Sequence, residues 1–461
     1  MGNEARDRTE PVQSWRTKID YAWGSLGNNI VYGFIATYLA LYYTDYFGIA
    51  ASAAAVLFFV VRLADALLDP VMGLIVDHTS SRWGRFRPYL LFTPPVLVVT
   101  TALCMSNPDL DDTGRLIFAY VTYLVWGLSF TAMDVPYWSM SAALTTDARD
   151  RTSLVMVPRT FASIGFIGVN IVTLPLVALF SFQSAAQGWQ LVAILYGLIA
   201  MALTWTTFAR VRERTNLAPT AHYNLRTMAA LFAKNRPLQL LLGAMLVTEL
   251  AFSIRSIIPV YYLTYNFGAA ALIPAFIGVF AVTTIAGSLL SPVVAGRIGK
   301  KRAAIVGIAI TTLTALAAWA TGYGQLEPIM VWTAIGGLGY GITNITLLSM
   351  LTDTVEYGQW VTGRRTEGLV FSSNIFKTKV ASALGASTAL GILGWLGYTA
   401  GTAQTTLTLD GLHATMTIVP GVIGALAVIP LVWYRLSESR HAEIVDELAL
   451  RDAADAAETA R

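Results

Sequence analysis

The sequence predicts an all-α integral membrane protein with twelve transmembrane helices in two pseudo-symmetric six-helix bundles. Three observations lead there: apolar stretches of spanning length, a basic asymmetry between alternate loops, and one loop pattern that returns in the second half of the chain. Of 461 residues, 55% are hydrophobic and only 13% are charged, against roughly 25% charged in a soluble domain. Counting about 20 apolar residues per span, stretches fall near 20–43, 53–76, 89–107, 115–141, 156–182 and 187–209. A second set follows near 238–265, 271–296, 303–322, 328–351, 367–396 and 412–435.

Basic residues orient these spans. With a cytoplasmic N-terminus, 25 of the 31 lysines and arginines fall in the N-tail, the even-to-odd loops and the C-tail. Only Arg115 occupies an outer loop, and Arg62, Arg159, Arg255, Lys377 and Lys379 lie within or at the end of spans. This positive-inside pattern places both termini in the cytoplasm. The net charge of +3 is a loop effect, with no nucleic-acid footprint. The single cysteine, Cys104, excludes an intramolecular disulfide, and the four histidines show no metal-ligand spacing. The polar start "MGNEARDRTE" lacks the apolar core of a cleavable signal, and Arg6 stands where a myristoylation motif wants Ser or Thr.

The expected organisation is an N-tail over 1–18, a first bundle over 19–209, a middle loop over 210–236, a second bundle over 237–436 and a charged, helix-forming tail over 437–461. The loop after span 2, "DHTSSRWGRFRPYLL", and the loop after span 8, "AGRIGKKRAAIVG", are both short, basic and glycine-bearing. Matching loops at the same place in each half fit a parallel-repeat transporter with its substrate site between the halves near the midplane.

Charges at bilayer depth cost around 2.5–3.5 kcal/mol on insertion scales, so they face a cavity and have a function by default. In "VRLADALLDP", Arg62, Asp65 and Asp69 share one helix face. Asp134 in span 4, Glu249 and Arg255 in span 7, and Lys377 and Lys379 in span 11 complete the set. Converging carboxylates suit a small cation or a proton, and pairing with Asp65 is the expected role of Arg62. Thr131, Asp134 and Trp138 make a stripe of hydroxyl, carboxylate and indole on span 4, a way to hold a sugar through its hydroxyls and its CH face. Periodicity does not decide which span-11 lysine enters the cavity, and the spacing of Glu249 and Arg255 puts them on different faces.

The motifs "YAWGSLGNNIVYGFIATYLALYYTDYFGI", "RLADALLDPVMGLIVDHTSSRWGRFRPYL", "AMDVPYWS", "PRTFAS", "DTVEYGQWVTGRRTEG" and "FKTKVASALG" together resemble the glycoside-pentoside-hexuronide cation symporter family. That family belongs to the major facilitator superfamily, and melibiose permease is its best-known member. The resemblance covers roughly 15–440 and implies the major facilitator fold. It implies that Asp65, Asp69, Thr131 and Asp134 bind the coupling cation, and that Asn28, Asn29, Asp134, Trp138, Arg159 and Lys379 bind the sugar. It also implies gating roles for Asp77, Arg82, Arg85, Arg87, Arg297, Lys300, Arg364 and Arg365 on the cytoplasmic loops. Two departures bear on specificity. Asn28 and Asn29 replace a Lys-Asp pair, which eases accommodation of an anionic uronide beside neutral glycosides and pentosides. Leu68 replaces a polar Asn of sodium-using relatives, which weakens a sodium site and keeps proton coupling open.

The expected function is import of a sugar or glycoside by symport with H+ or Na+, with no cofactor and no metal beyond a Na+ at the cation site. The protein is expected to be a monomer in a bacterial inner membrane, surrounded by lipid. A hydrolase would need His-Glu or Cys-His groupings that the spans lack. A cation-coupled lysolipid or other amphiphile carrier on the same fold is the alternative.

Overall fold

The computed structural model describes residues 14–144, 148–213, 231–363 and 367–459. Among these residues the regular secondary structure is entirely helical. The first half holds α1 (Trp15–Leu41), α2 (Ala51–Asp77), α3 (Arg87–Cys104), α4 (Asp112–Leu144), α5 (Ala148–Phe180) and α6 (Ala185–Arg210). The second holds α7 (Arg236–Tyr265), α8 (Ile273–Ile298), α9 (Lys300–Thr321), α10 (Leu326–Thr362) and α11 (Glu367–Trp395). The last apolar stretch is divided into α12 (Thr406–Met416), α13 (Ile418–Ala425) and α14 (Val428–Trp433), and α15 (Glu438–Thr459) closes the chain.

Ten of the described helices are long and apolar enough to cross a membrane, with α12 to α14 counted as one span. The two further expected spans are α1 and α11, 27 and 29 residues long. Both have the length to cross, but Asn28 and Asn29 in one and Lys377 and Lys379 in the other lower their apolar character. Helices that carry polar groups in an apolar chain bury them against neighbours. Asn28 and Lys377 accordingly retain 1% and 8% of their exposure.

Contacts divide the chain into two units, Met1–Ile49 with Leu63–Ala221, and Ala50–Arg62 with His222–Arg461. The opening stretch of α2 thus groups with the second unit. In the first unit α1 packs on α5 and α6, and α3 packs on α4 and α6; in the second α7 packs on α11, and α9 packs on α10 and α13. The α1–α5 and α3–α4 pairings therefore recur six helices later, as α7–α11 and α9–α10.

A capping device recurs with them. Glu213, just beyond α6, accepts from the backbone N–H groups of Arg85 (2.8 Å), Phe86 (2.8 Å) and Arg87 (3.0 Å) at the start of α3. Glu438, just beyond α14, accepts from the backbone N–H of Lys300 at the start of α9. A carboxylate at a helix N-terminus satisfies orphan donors and the positive end of the dipole. Gly84 and Gly299 precede these amides with φ of 109° and 86°, conformations that glycine adopts without a Cβ penalty. A Cβ on Gly84 would also lie 2.6 Å from the Glu213 carboxylate.

Close approach of α10 to α8 rests on small residues, as is common where lipid removes the hydrophobic drive for helix association. A Cβ on Gly287 would strike the Leu338 carbonyl, and one on Gly341 would strike that of Thr284. The Gly341→Leu variant is expected to lose about 1–3 kcal/mol through overpacking, read as a lowered melting temperature of the purified protein in detergent.

Candidate cation and sugar site

Two polar groupings sit side by side in the first unit, both anchored on α4. At the first, Thr131 places its hydroxyl 2.6 Å from Oδ1 of Asp65 and 3.2 Å from Oδ1 of Asp69. The two aspartates are four residues apart on α2, one helical turn, so their carboxylates reach the same hydroxyl. A hydroxyl has one proton to donate. The shorter contact is to Asp65, and the longer one shares the same hydroxyl with Asp69. Gly127, one turn before Thr131, leaves the space beside Asp65: a Cβ there would lie 3.9 Å from Oδ1.

At the second, Oδ1 of Asp134 accepts from Nε1 of Trp138 at 3.1 Å and from Nδ2 of buried Asn28 at 3.3 Å. Asn28 Oδ1 is buried without a hydrogen-bond partner, an acceptor ready for a donor such as a sugar hydroxyl. The Arg159 guanidinium lies 5.3 Å from the centre of the Trp138 ring, a cation–π geometry that holds the indole face and a positive charge together. Asn29 bonds back to the Ser25 carbonyl of its own helix at 3.0 Å. Thr131 and Asp134 are three residues apart, about 4.5 Å along the helix axis, which makes the two groupings adjacent.

The scaffold beneath is tight. The Tyr21 hydroxyl donates to the Tyr137 carbonyl (2.5 Å) and the Tyr137 hydroxyl donates to the Tyr21 carbonyl (2.7 Å). Their rings stack with centroids 4.7 Å apart. This reciprocal clasp ties α1 to α4 directly after Pro136, where the proline leaves α4 one backbone donor short. Asp134 is thereby held between two fixed helices.

In the second unit Lys379 lies half-buried on α11. Its neighbour Lys377 is buried and interacts electrostatically with Glu249 of α7. Glu249 thus faces α11, and Arg255 turns to a different neighbour, Thr333 of α10, at 3.2 Å. Arg62 donates to the Ser382 hydroxyl and lies 5.9 Å from the Phe58 ring.

The loop residues divide by role. Arg87 donates to the Phe208 carbonyl at 2.6 Å and the Trp83 carbonyl at 3.3 Å, and Arg85 to the Val76 carbonyl at 3.1 Å. Arg82 is exposed over the Trp83 ring, 4.2 Å from its centre. Lys300 binds both oxygens of Asp353, at 2.8 and 2.7 Å, and Lys301 donates to the carbonyls of Val432 and Tyr434. Burial, then the charges of Asp353 and Glu438, holds the Tyr434 phenol above its ordinary pKa. Arg297 is exposed in the last turn of α8. Arg364 and Arg365 lie outside the described residues, as does the side chain of Asp77.

Sequence reasoning missed the Asn28–Asp134 contact, which joins positions 106 residues apart and leaves no local signal. It also missed Glu213 and Glu438. Aligning the two halves would have found them, because each follows the last span of its half.

Residues 20–438 match the MFS/sugar transport protein family. The chain belongs to that family. It is therefore a membrane transporter, not an enzyme. Its relatives include an uncharacterized symporter, YnaJ, of Bacillus subtilis, 33% identical over 94% of this chain and 95% of that one. The isoprimeverose transporter of Lactiplantibacillus pentosus is 30% identical over 95% and 93%. A glucuronide carrier protein homolog of Escherichia coli is 31% identical over 94% and 95%. Among solved structures, a bacterial homolog of the human lysosomal transporter Spinster, inward-facing and unoccupied, superposes with a TM-score of 0.67 at 13% identity, over 95% of this chain and 99% of that one. That likeness bears on the fold alone and agrees with the major facilitator architecture.

Proposed function

We propose that this transporter imports a sugar or glycoside in symport with a proton or a sodium ion, by alternating access. The observation that carries the reading is the single Thr131 hydroxyl in contact with both Asp65 and Asp69, beside an Asp134 that already gathers Asn28 and Trp138. One positive charge between the first two carboxylates relieves their repulsion. Relatives named as a symporter, an isoprimeverose transporter and a glucuronide carrier homolog support a carbohydrate cargo.

Asp65, Asp69, Thr131 and Asp134 hold the ion in this reading. The sugar is bound by Asn28, Asp134, Trp138 and Arg159, with Asn29 and Lys379 contributing. Trp138 covers an apolar CH face, and Asp134 and Asn28 Oδ1 accept from hydroxyls. Arg159 adds a positive charge that a uronide carboxylate can use. Leu68, which offers no oxygen beside Asp69, favours a proton over sodium. Asp77, Arg82, Arg85, Arg87, Arg297, Lys300, Arg364 and Arg365 control the cytoplasmic gate. The protein acts as a monomer in a bacterial inner membrane with both termini in the cytoplasm.

The test is uptake of labelled glucuronide and xyloside into proteoliposomes under an imposed proton or sodium gradient. Accumulation of a sugar above equilibrium under one gradient is expected. Its absence for every sugar, with uptake of a lysolipid instead, would overturn the reading.

A further inference from the structure

Arg255 of α7 is a cation that the proposed transport chemistry leaves unused. Two cavities in the second unit meet at it. The larger is lined by residues of α7 to α10, by Thr417 and by α13; the smaller reaches Ile329 and Trp332 in the first turns of α10. Arg255, Ala315 and Thr417 line both. The Arg255 side chain is half-buried, and the partners of its guanidinium are the Thr333 hydroxyl at 3.2 Å and the face of Phe280, 4.7 Å away. Among the described residues no carboxylate pairs with it, although Arg has five N–H donors in a fork built for one.

The cavity walls do not supply the missing charge. Phe252, Phe280 and Tyr340 form an aromatic wall, with Phe252 stacked on Tyr340 at 4.8 Å. The wall threonines donate elsewhere: Thr311 to Gly307, Thr312 to Gly421, Thr343 to Gly339 and Thr417 to His413. Arg255 is the one charged residue lining either cavity. An uncompensated charge at this depth is costly, and a single negative charge balances it.

We infer that Arg255 is an anion site within the second unit, taking one small monoanionic group, a halide or a carboxylate. A multiply charged phosphate or sulfate is disfavoured because the lining has one positive charge. Neither cavity is lined by Asp65, Asp69 or Asp134, so the inference stands or falls independently of symport.

The experiment measures the melting temperature of purified protein as chloride replaces sulfate, the disfavoured dianion, at constant ionic strength. A ligand at about 100 times its Kd is expected to raise it by about 2–5 °C. Arg255→Gln should abolish the rise and Arg255→Lys should retain part of it. A second arm compares glucuronate with glucose in chloride-free buffer: protection by glucuronate in the parent but not in Arg255→Gln identifies a sugar carboxylate as a source. Should Arg255→Gln fail to fold, bromide-soaked crystals of the parent are to show anomalous density beside the guanidinium. No response to either anion in the parent, equal responses in parent and Arg255→Gln, or bromide-soaked crystals without that density would overturn the inference.

Discussion

Asp69→Asn is expected to abolish uphill sugar accumulation while leaving sugar binding and sugar–sugar exchange in place. An amide keeps the size of the carboxyl group but cannot carry the negative charge that draws a cation to the Thr131 hydroxyl. The loss is of the order of a charge-assisted interaction, about 1.5–3 kcal/mol, or about 10- to 150-fold in cation affinity. The proposed sugar site gathers Asp134, Trp138 and Asn28, whose mutual hydrogen bonds run between Asn28, Trp138 and Asp134. Equilibrium exchange of labelled sugar in proteoliposomes separates the two functions. Loss of exchange together with accumulation would mean that Asp69 serves sugar binding as well.

Asp134→Asn has the wider expected effect, because this carboxylate anchors the second grouping and lies three residues from Thr131 of the first. Its Oδ1 accepts two N–H bonds, from Asn28 and Trp138. An Asn in its place can satisfy them only by turning its own N–H₂ away, and it loses the charge in either case. Sugar affinity should fall by about 10- to 150-fold, the range expected for a bond to a charged acceptor. Cation affinity should fall with it. Titration calorimetry with and without the coupling ion checks this: the parent should bind sugar more tightly with the ion present, and Asp134→Asn should lose most of that difference.

The fold class was legible because membrane insertion imposes a coarse code of apolar length and basic loops, and that code survives in composition alone. The expected spans at α1 and α11 are helices of 27 and 29 residues, although their Asn and Lys residues lower their hydropathy. The division of the last span into α12, α13 and α14 was not legible. Its first break, between α12 and α13, follows from local backbone geometry at Thr417, where φ and ψ are −116° and −86°, rather than from an apolar pattern. Of the candidate site, Asp65, Asp69, Thr131 and Asp134 were visible through helical spacing, because i, i+3 and i+4 positions share a face whatever the tertiary structure. What spacing could not give was any link between helices. Asn28 reaching Asp134, Glu249 facing Lys377 and Arg255 turning toward Thr333 each depend on packing between segments distant in sequence.

Coupling of carbohydrate entry to a cation is read out by current. Protein reconstituted on a solid-supported membrane should give an inward positive current when a glucuronide, xyloside or galactoside is applied. That current should scale with proton or sodium concentration and vanish in Asp69→Asn. Labelled sugar uptake of equal size with no ion gradient, together with no sugar-evoked current at any pH or sodium level, would contradict coupling.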